Sequence, residues 1–272
     1  LPGNFHKTFI PERRLIAGLM RFSAEGRSGD YHEISSVTDI PMGRSNGKVP
    51  AILDYARGMG LVRLESGARS AIKKPVLTDF GRIVFLEDPM LGEPLTQWLA
   101  HMNLCRPDIG ASAWYQVFGK GRGILGIRFG SGQLENYLRN VFGTGKNRTG
   151  PLVRTYQDDA ALARAPALKN VGNQIIRNKA PTLDEYSLAY AAFITSILES
   201  SFPNQSQVTI KDLNEKTSWF DACAWDRSDI ERVIRLVEGT GHMAIDRQMQ
   251  PWILEPMAQS SQIWPTIYNE LP

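Results

Sequence analysis

Gly43-Arg44-Ser45-Asn46-Gly47-Lys48-Val49-Pro50-Ala51-Ile52-Leu53-Asp54-Tyr55-Ala56-Arg57-Gly58-Met59-Gly60-Leu61 is the stretch on which the fold reading turns. Val49, Ile52, Leu53 and Ala56 recur at i, i+3, i+4 and i+7 and share one side of a helix. Lys48, Ala51, Tyr55 and Gly58 fall on the other side, with Arg57 near its edge. Ser45 or Gly47 suits the start, Pro50 a first turn, and Gly58 and Gly60 the stop. The spacing predicts a recognition helix whose second side faces solvent.

Working outward, Tyr31 to Ile40 reads as a short helix and Pro41-Met42-Gly43 as the turn between the two. Pro11 can open an earlier helix with Leu15, Ile16, Leu19 and Met20 inward. Beyond Leu61, Leu61-Val62-Arg63-Leu64 and Lys74-Pro75-Val76-Leu77 read as a hairpin with a polar tip over Glu65 to Ile72. Thr78 or Asp79 then caps a helix, and Asp88-Pro89 closes the unit. Helix, short helix, helix and hairpin is the order of a winged helix-turn-helix.

From Leu91 to about Phe142 the pattern is helical, with Trp98, Leu99, Met102, Trp114, Val117 and Phe118 as core. Two glycine-rich stretches, Gly119 to Gly123 and Gly143 to Gly150, read as loops whose main-chain N–H groups can approach an anion. Neither fits a P-loop, since Asn140 and Asn147 stand where Gly and Ser or Thr are required. Residues 151–180 have weak periodicity and read as a linker. Leu183 to Leu198 is helical and Val208 to Lys211 strand-like. Asp226 or Ser228 caps a helix through Val237, and Met243-Ala244-Ile245 with Trp252-Ile253-Leu254 gives a second hairpin. The predicted fold is mainly α with minor β content. It comprises a winged helix over 1–90, a basic helical middle over 91–180 and an acidic winged-helix-like unit over 181–272.

Charge is uneven along the chain. Residues 1–180 carry 25 Lys and Arg against 15 Asp and Glu, whereas 181–272 carry 6 against 13. The segment 120–179 alone has 11 basic and 3 acidic residues. A polyanion suits the first two-thirds, and a protein-facing or packing role suits the rest. No run of eighteen apolar residues is present, so no membrane partner is expected. Cys105 and Cys223 are far apart and outside any CxxC, which fits a reduced, cytoplasmic chain. His6, His32, His101 and His242 are dispersed, and no cofactor is evident.

The residue types point to phosphate contacts through Arg13, Arg14, Arg44, Asn46, Lys48, Tyr55 and Arg57, the hairpin lysines Lys73 and Lys74, and Lys120, Arg122, Lys146 and Arg148. At a helix start such residues position a duplex, while Arg44 and Asn46 have the donors to read guanine and adenine. His6 is the one candidate general base, set against a plain reading as a lead-in histidine bonded to backbone. Adjacent acids (Glu87-Asp88, Asp158-Asp159, Asp184-Glu185) point apart on a helix and read as surface pairs. A nuclease would add a divalent metal to this set.

Phe5-His6-Lys7-Thr8-Phe9 followed by Arg13, Arg14 and Leu15 resembles the Gly-His-Glu-Thr-Phe opening of a bacterial domain family of unknown function. That family is found in DNA phosphorothioation and related phage-defence gene clusters. Gly43 to Leu61 resembles the family's glycine-lysine-asparagine helix, and Ala113-Trp114-Tyr115-Gln116-Val117-Phe118 is similar to its Ala-Trp-Tyr-x-x-Phe block. Lys7 stands where the family has an acid. The resemblance implies a DNA-binding protein that introduces or exploits nicks, working with other proteins of a modification or defence system. The alternatives are a transcriptional regulator without catalysis and a protein-assembly subunit.

Overall fold

The structure is a computed structural model that describes residues 1–42, 47–65, 71–144, 149–248 and 250–272. It is mainly helical with three small antiparallel sheets. The first part contains α1 (Arg13–Ala24), α2 (Tyr31–Thr38), α3 (Lys48–Gly58), β1 (Val62–Leu64), β2 (Pro75–Leu77) and α4 (Asp79–Glu87). The middle contains α5 (Pro94–Leu104), α6 (Ser112–Trp114), a π-turn over Tyr115–Lys120, α7 (Arg122–Leu125), β3 (Arg128–Gly130), α8 (Ser131–Phe142), α9 (Thr149–Arg154), β4 (Leu168–Val171) and β5 (Gln174–Arg177). The last part contains α10 (Ser187–Ser201), β6 (Val208–Thr209), α11 (Ile210–Thr217), α12 (Trp219–Ala222), α13 (Arg227–Gly239), β7 (Met243–Asp246), β8 (Ile253–Pro256) and α14 (Ser260–Ile263). No helix among the described residues is long and apolar enough to cross a membrane.

One topology occurs twice. After α1 the chain passes Gly29, which bridges Lys73 before the β1–β2 hairpin is complete, then runs through α2 and α3. After α10 it passes β6, which pairs with β8, then runs through α11, α12 and α13 to the β7–β8 hairpin. The two segments read as a hairpin do pair, with Ile245 opposite Leu254. Local chemistry fixes the element starts. Thr78 accepts from the Gly81 amide at the head of α4, and Asp226 accepts from Ser228 and Asp229 at the head of α13. An Asp226→Ala change is expected to cost about 1 kcal/mol of stability, read as a shift in the urea midpoint.

The interior is continuous from Phe5 to Ile267. Its axis is α10, where Ala189 to Thr195, Ile197 and Leu198 are all buried and the helix touches α5, α13 and α14. At α4 the approach is closest, since a Cβ added to Gly81 would stand 1.8 Å from the Leu61 carbonyl oxygen.

Three expectations are corrected. Both sides of α3 are covered: Val49, Ile52, Leu53 and Ala56 are inward as predicted, but Ala51, Tyr55 and Gly58 are buried too. The lead-in and the Trp114 block fold over that second side, with Phe5 at 4.8 Å and Trp114 at 6.0 Å from the Tyr55 ring. Residues 151–180 are not a linker. They form a strand hairpin, β4–β5, which with β3 makes a sheet in the order β3-β5-β4. The turns before it bury Tyr156, Leu162 and Ala165 and are tied in by polar contacts: buried Gln97 accepts from the Arg164 amide at 2.9 Å, and the Arg13 amide donates to the Ala160 carbonyl at 2.8 Å. Short turns pinned this way need no apolar stripe. The Gly119 to Gly123 stretch, finally, is helical rather than an open loop, and the Gly121 amide donates to Gln116 at 2.6 Å. The Arg177 guanidinium donates to the Val117 and Phe118 carbonyls of that π-turn at 2.6 and 3.3 Å.

Candidate nucleic-acid interface

The start of α3 gathers the basic side chains that the sequence scatters. Arg13 and Arg14 open α1, Lys48 opens α3, and all three line one cleft of about 390 Å³ with Glu12, Asp39 and Met90. Lys48 Nζ pairs with the Glu12 carboxylate at 2.7 Å and lies 5.6 Å from the Phe9 ring centre. Gly47, the first described residue at the start of α3, has no side chain to cap it, and the helix turns its positive end toward this cleft. Lys7 Nζ lies so near that a Cβ on Gly47 would come within 3.2 Å of it. Cations beside a positive helix end repel, and a bound anion relieves both. Lys7 was no candidate on sequence grounds, because its lead-in position carries no helical spacing.

Within the cleft the arginines differ. Arg13 is a clasp: it donates to the Met90 and Leu91 carbonyls at 3.3 Å each and to the Asp159 carbonyl at 2.7 Å. Arg14 is exposed. The cleft thus offers Arg14, and Lys48 by exchange from Glu12, to an incoming phosphate.

The other candidate residues lie elsewhere. Arg57 lies in the last turn of α3, about 14 Å from Lys48 along the axis, and pairs with Asp54 at 2.7 Å. Burial raises the Asp54 carboxyl pKa, opposed by Arg57. Lys73 lies 6.0 Å from the Tyr31 ring centre, and Lys74 pairs with Glu65 at 2.5 Å. Lys120 is exposed over Tyr115, while Arg122 reaches the Phe220 carbonyl and Asp221, each at 3.4 Å. Tyr55 is withdrawn from any surface: its hydroxyl donates to the Phe9 carbonyl at 3.0 Å, and burial pushes its phenol far above the usual range. Arg44, Asn46, Lys146 and Arg148 lie outside the described residues.

His6 is fully buried, does not line the cleft, and directs Nδ1 to the Lys7 carbonyl at 3.0 Å. Its ring meets Trp114 edge-on at 5.8 Å. A histidine enclosed in this way is placed to hold the lead-in against the core. Among the described residues no group of three or more His, Cys, Asp or Glu side chains is arranged to hold a metal ion.

The fold defines a class: a mainly helical protein with the same helix-and-hairpin topology at both ends. Within that class the chain resembles SspB. An SspB crystal structure with bound magnesium ion superposes with a TM-score of 0.70 at 16% identity, covering 98% of this chain and 86% of that one. A second SspB crystal structure gives 0.66 at 15% identity, with the same coverage. No family model matches the chain, and no curated protein does.

Proposed function

We propose that the chain is a duplex-DNA-binding component of a DNA phosphorothioation system, built on winged helices and acting with other proteins of that system. The observation that carries this reading is the convergence of Arg14, Lys48 and Lys7 beside the start of α3. Its setting is a fold similar to SspB throughout its length. Since α3 is covered on both sides, the contacts are to the sugar-phosphate backbone, with the hairpin lysines and Lys120 as further backbone contacts. The reading stops at binding. One SspB structure holds magnesium, whereas nicking by this chain rests on no arrangement described above. Open circles from a supercoiled plasmid incubated with protein and magnesium would extend the reading to nicking.

The test is a salt titration of binding to an arbitrary duplex. Log affinity is expected to fall steeply with log salt, by about 0.9 per phosphate neutralised. Arg14→Ala and Lys48→Gln are each expected to reduce that slope by roughly one, equally for unrelated sequences. Affinity that is flat in salt, or slopes unchanged in both variants, overturns the reading.

A further inference from the structure

A second cationic cavity lies on the other end of α3. About 230 Å³ in volume, it is bounded by the end of α3, β1, the head of α4, the end of α5, α10 and α14. Arg57, Arg63 and Arg106 enter it from three different segments, and Asp79 is the one carboxylate among its lining residues. Thr78, Ser196 and Ser260 add hydroxyls, while Phe80 and Trp264 form an apolar wall. Three arginines line this one small volume, and among the described residues a carboxylate pairs with only two of them.

Two are anchored from behind. Arg57 Nη1 donates to Asp54 at 2.7 Å. Arg106 holds Asp108 with two bonds, of 2.9 and 2.5 Å, and is mostly enclosed. Arg106 also donates to Ser200 at 2.9 Å and Asn103 at 3.3 Å, which fixes its plane and leaves it one N–H, whereas Arg57 keeps donors beyond its bond to Asp54. Arg63 is exposed and has no carboxylate within bonding distance among the described residues. The start of α4, at Thr78 and Asp79, adds the positive end of a helix of nine residues.

We propose that this cavity binds a phosphate-type oxyanion, either inorganic phosphate or the terminal phosphate of a phosphomonoester. The volume admits one such group with a few waters and excludes a dinucleotide. The site is separate from the cleft at Lys48, so it stands or falls independently of duplex binding.

The experiment is calorimetric titration of the whole chain in phosphate-free chloride buffer with inorganic phosphate, adenosine 5′-monophosphate and adenosine. One saturable phosphate site is expected, with a dissociation constant of roughly 1 mM or tighter. It should weaken roughly tenfold in Arg63→Ala and less in Arg63→Lys. Asp79→Asn is expected to act in the opposite sense and tighten binding severalfold. Tighter binding of the nucleotide than of phosphate, with none for adenosine, identifies a phosphomonoester as the source; equal binding of the two identifies free phosphate. Absence of saturation up to about 10 mM, or an Arg63→Ala variant of unchanged affinity and unchanged circular dichroism, overturns the proposal.

Discussion

Gly81→Ala is expected to cost about 3 kcal/mol or more, among the largest losses any single methyl could produce in this chain. The added carbon would lie 1.8 Å from the Leu61 carbonyl oxygen and 2.7 Å from its carbon, and backbone cannot rotate aside as a side-chain end can. Relief requires α4 to move off β1. That would strain the Thr78 amide bond to the Leu61 carbonyl, 3.1 Å long, and the Thr78 hydroxyl bond to the Gly60 carbonyl. Gly132 in α8 is the contrast, since nothing lies within 4 Å of its built Cβ. There the same substitution removes unfolded-state freedom, so a gain of roughly 0.5 kcal/mol is expected. Urea midpoints of the two variants should therefore move in opposite directions. Equal and small shifts would mean that α4 does not sit on β1 as described.

Acid is expected to loosen the fold before carboxylates titrate, through His101. This imidazole is fully buried, receives the Tyr156 hydroxyl at Nδ1 (2.6 Å) and faces the Ala222 carbonyl at Nε2 (3.4 Å). Trp114 donates to the same hydroxyl at 2.8 Å, which leaves Tyr156 to donate onward and His101 to accept as the neutral ring. Burial pushes the His101 pKa down to about 3 from its usual 6.5. The unfolded chain therefore takes up a proton that the folded chain refuses. Stability from this group is whole above pH 6.5 and is lost as pH falls toward 3, by about 1.4 kcal/mol per unit. Between about pH 6.5 and 5 the wild type should lose roughly 2 kcal/mol, a dependence that His101→Gln should flatten. The His101 imidazole proton resonance, assigned by its loss in His101→Gln, would contradict the buried, neutral assignment if it titrated near pH 6 in the folded protein.

Much of the architecture was legible where local chemistry decides it. The spacing of Val49, Ile52, Leu53 and Ala56, the caps at Thr78 and Asp226, and the hairpin strands around Ile245 and Leu254 all follow from neighbours a few residues apart. What escaped depends on distant segments. Tyr55 looks like an outward residue until Phe5 and Trp114, each fifty residues or more away along the chain, close over it. The β3-β5-β4 sheet joins Phe129 to Ile175 across a long intervening chain, and its strands are too short to show alternation. Glycines at 119 and 121 signal a loop by composition, yet they serve tight packing against Ser218 and Tyr137. The candidate site was half legible. Arg13, Arg14 and Lys48 were chosen for charge, but only the fold brings α1 and α3 together and sets Lys7 above Gly47.

Because α10 is enclosed along most of its length by α5 from the middle of the chain and by α13 and α14 from its last part, those segments share one buried helix. Damage to that helix is damage to both at once, so the middle and last parts should melt in a single transition rather than in two.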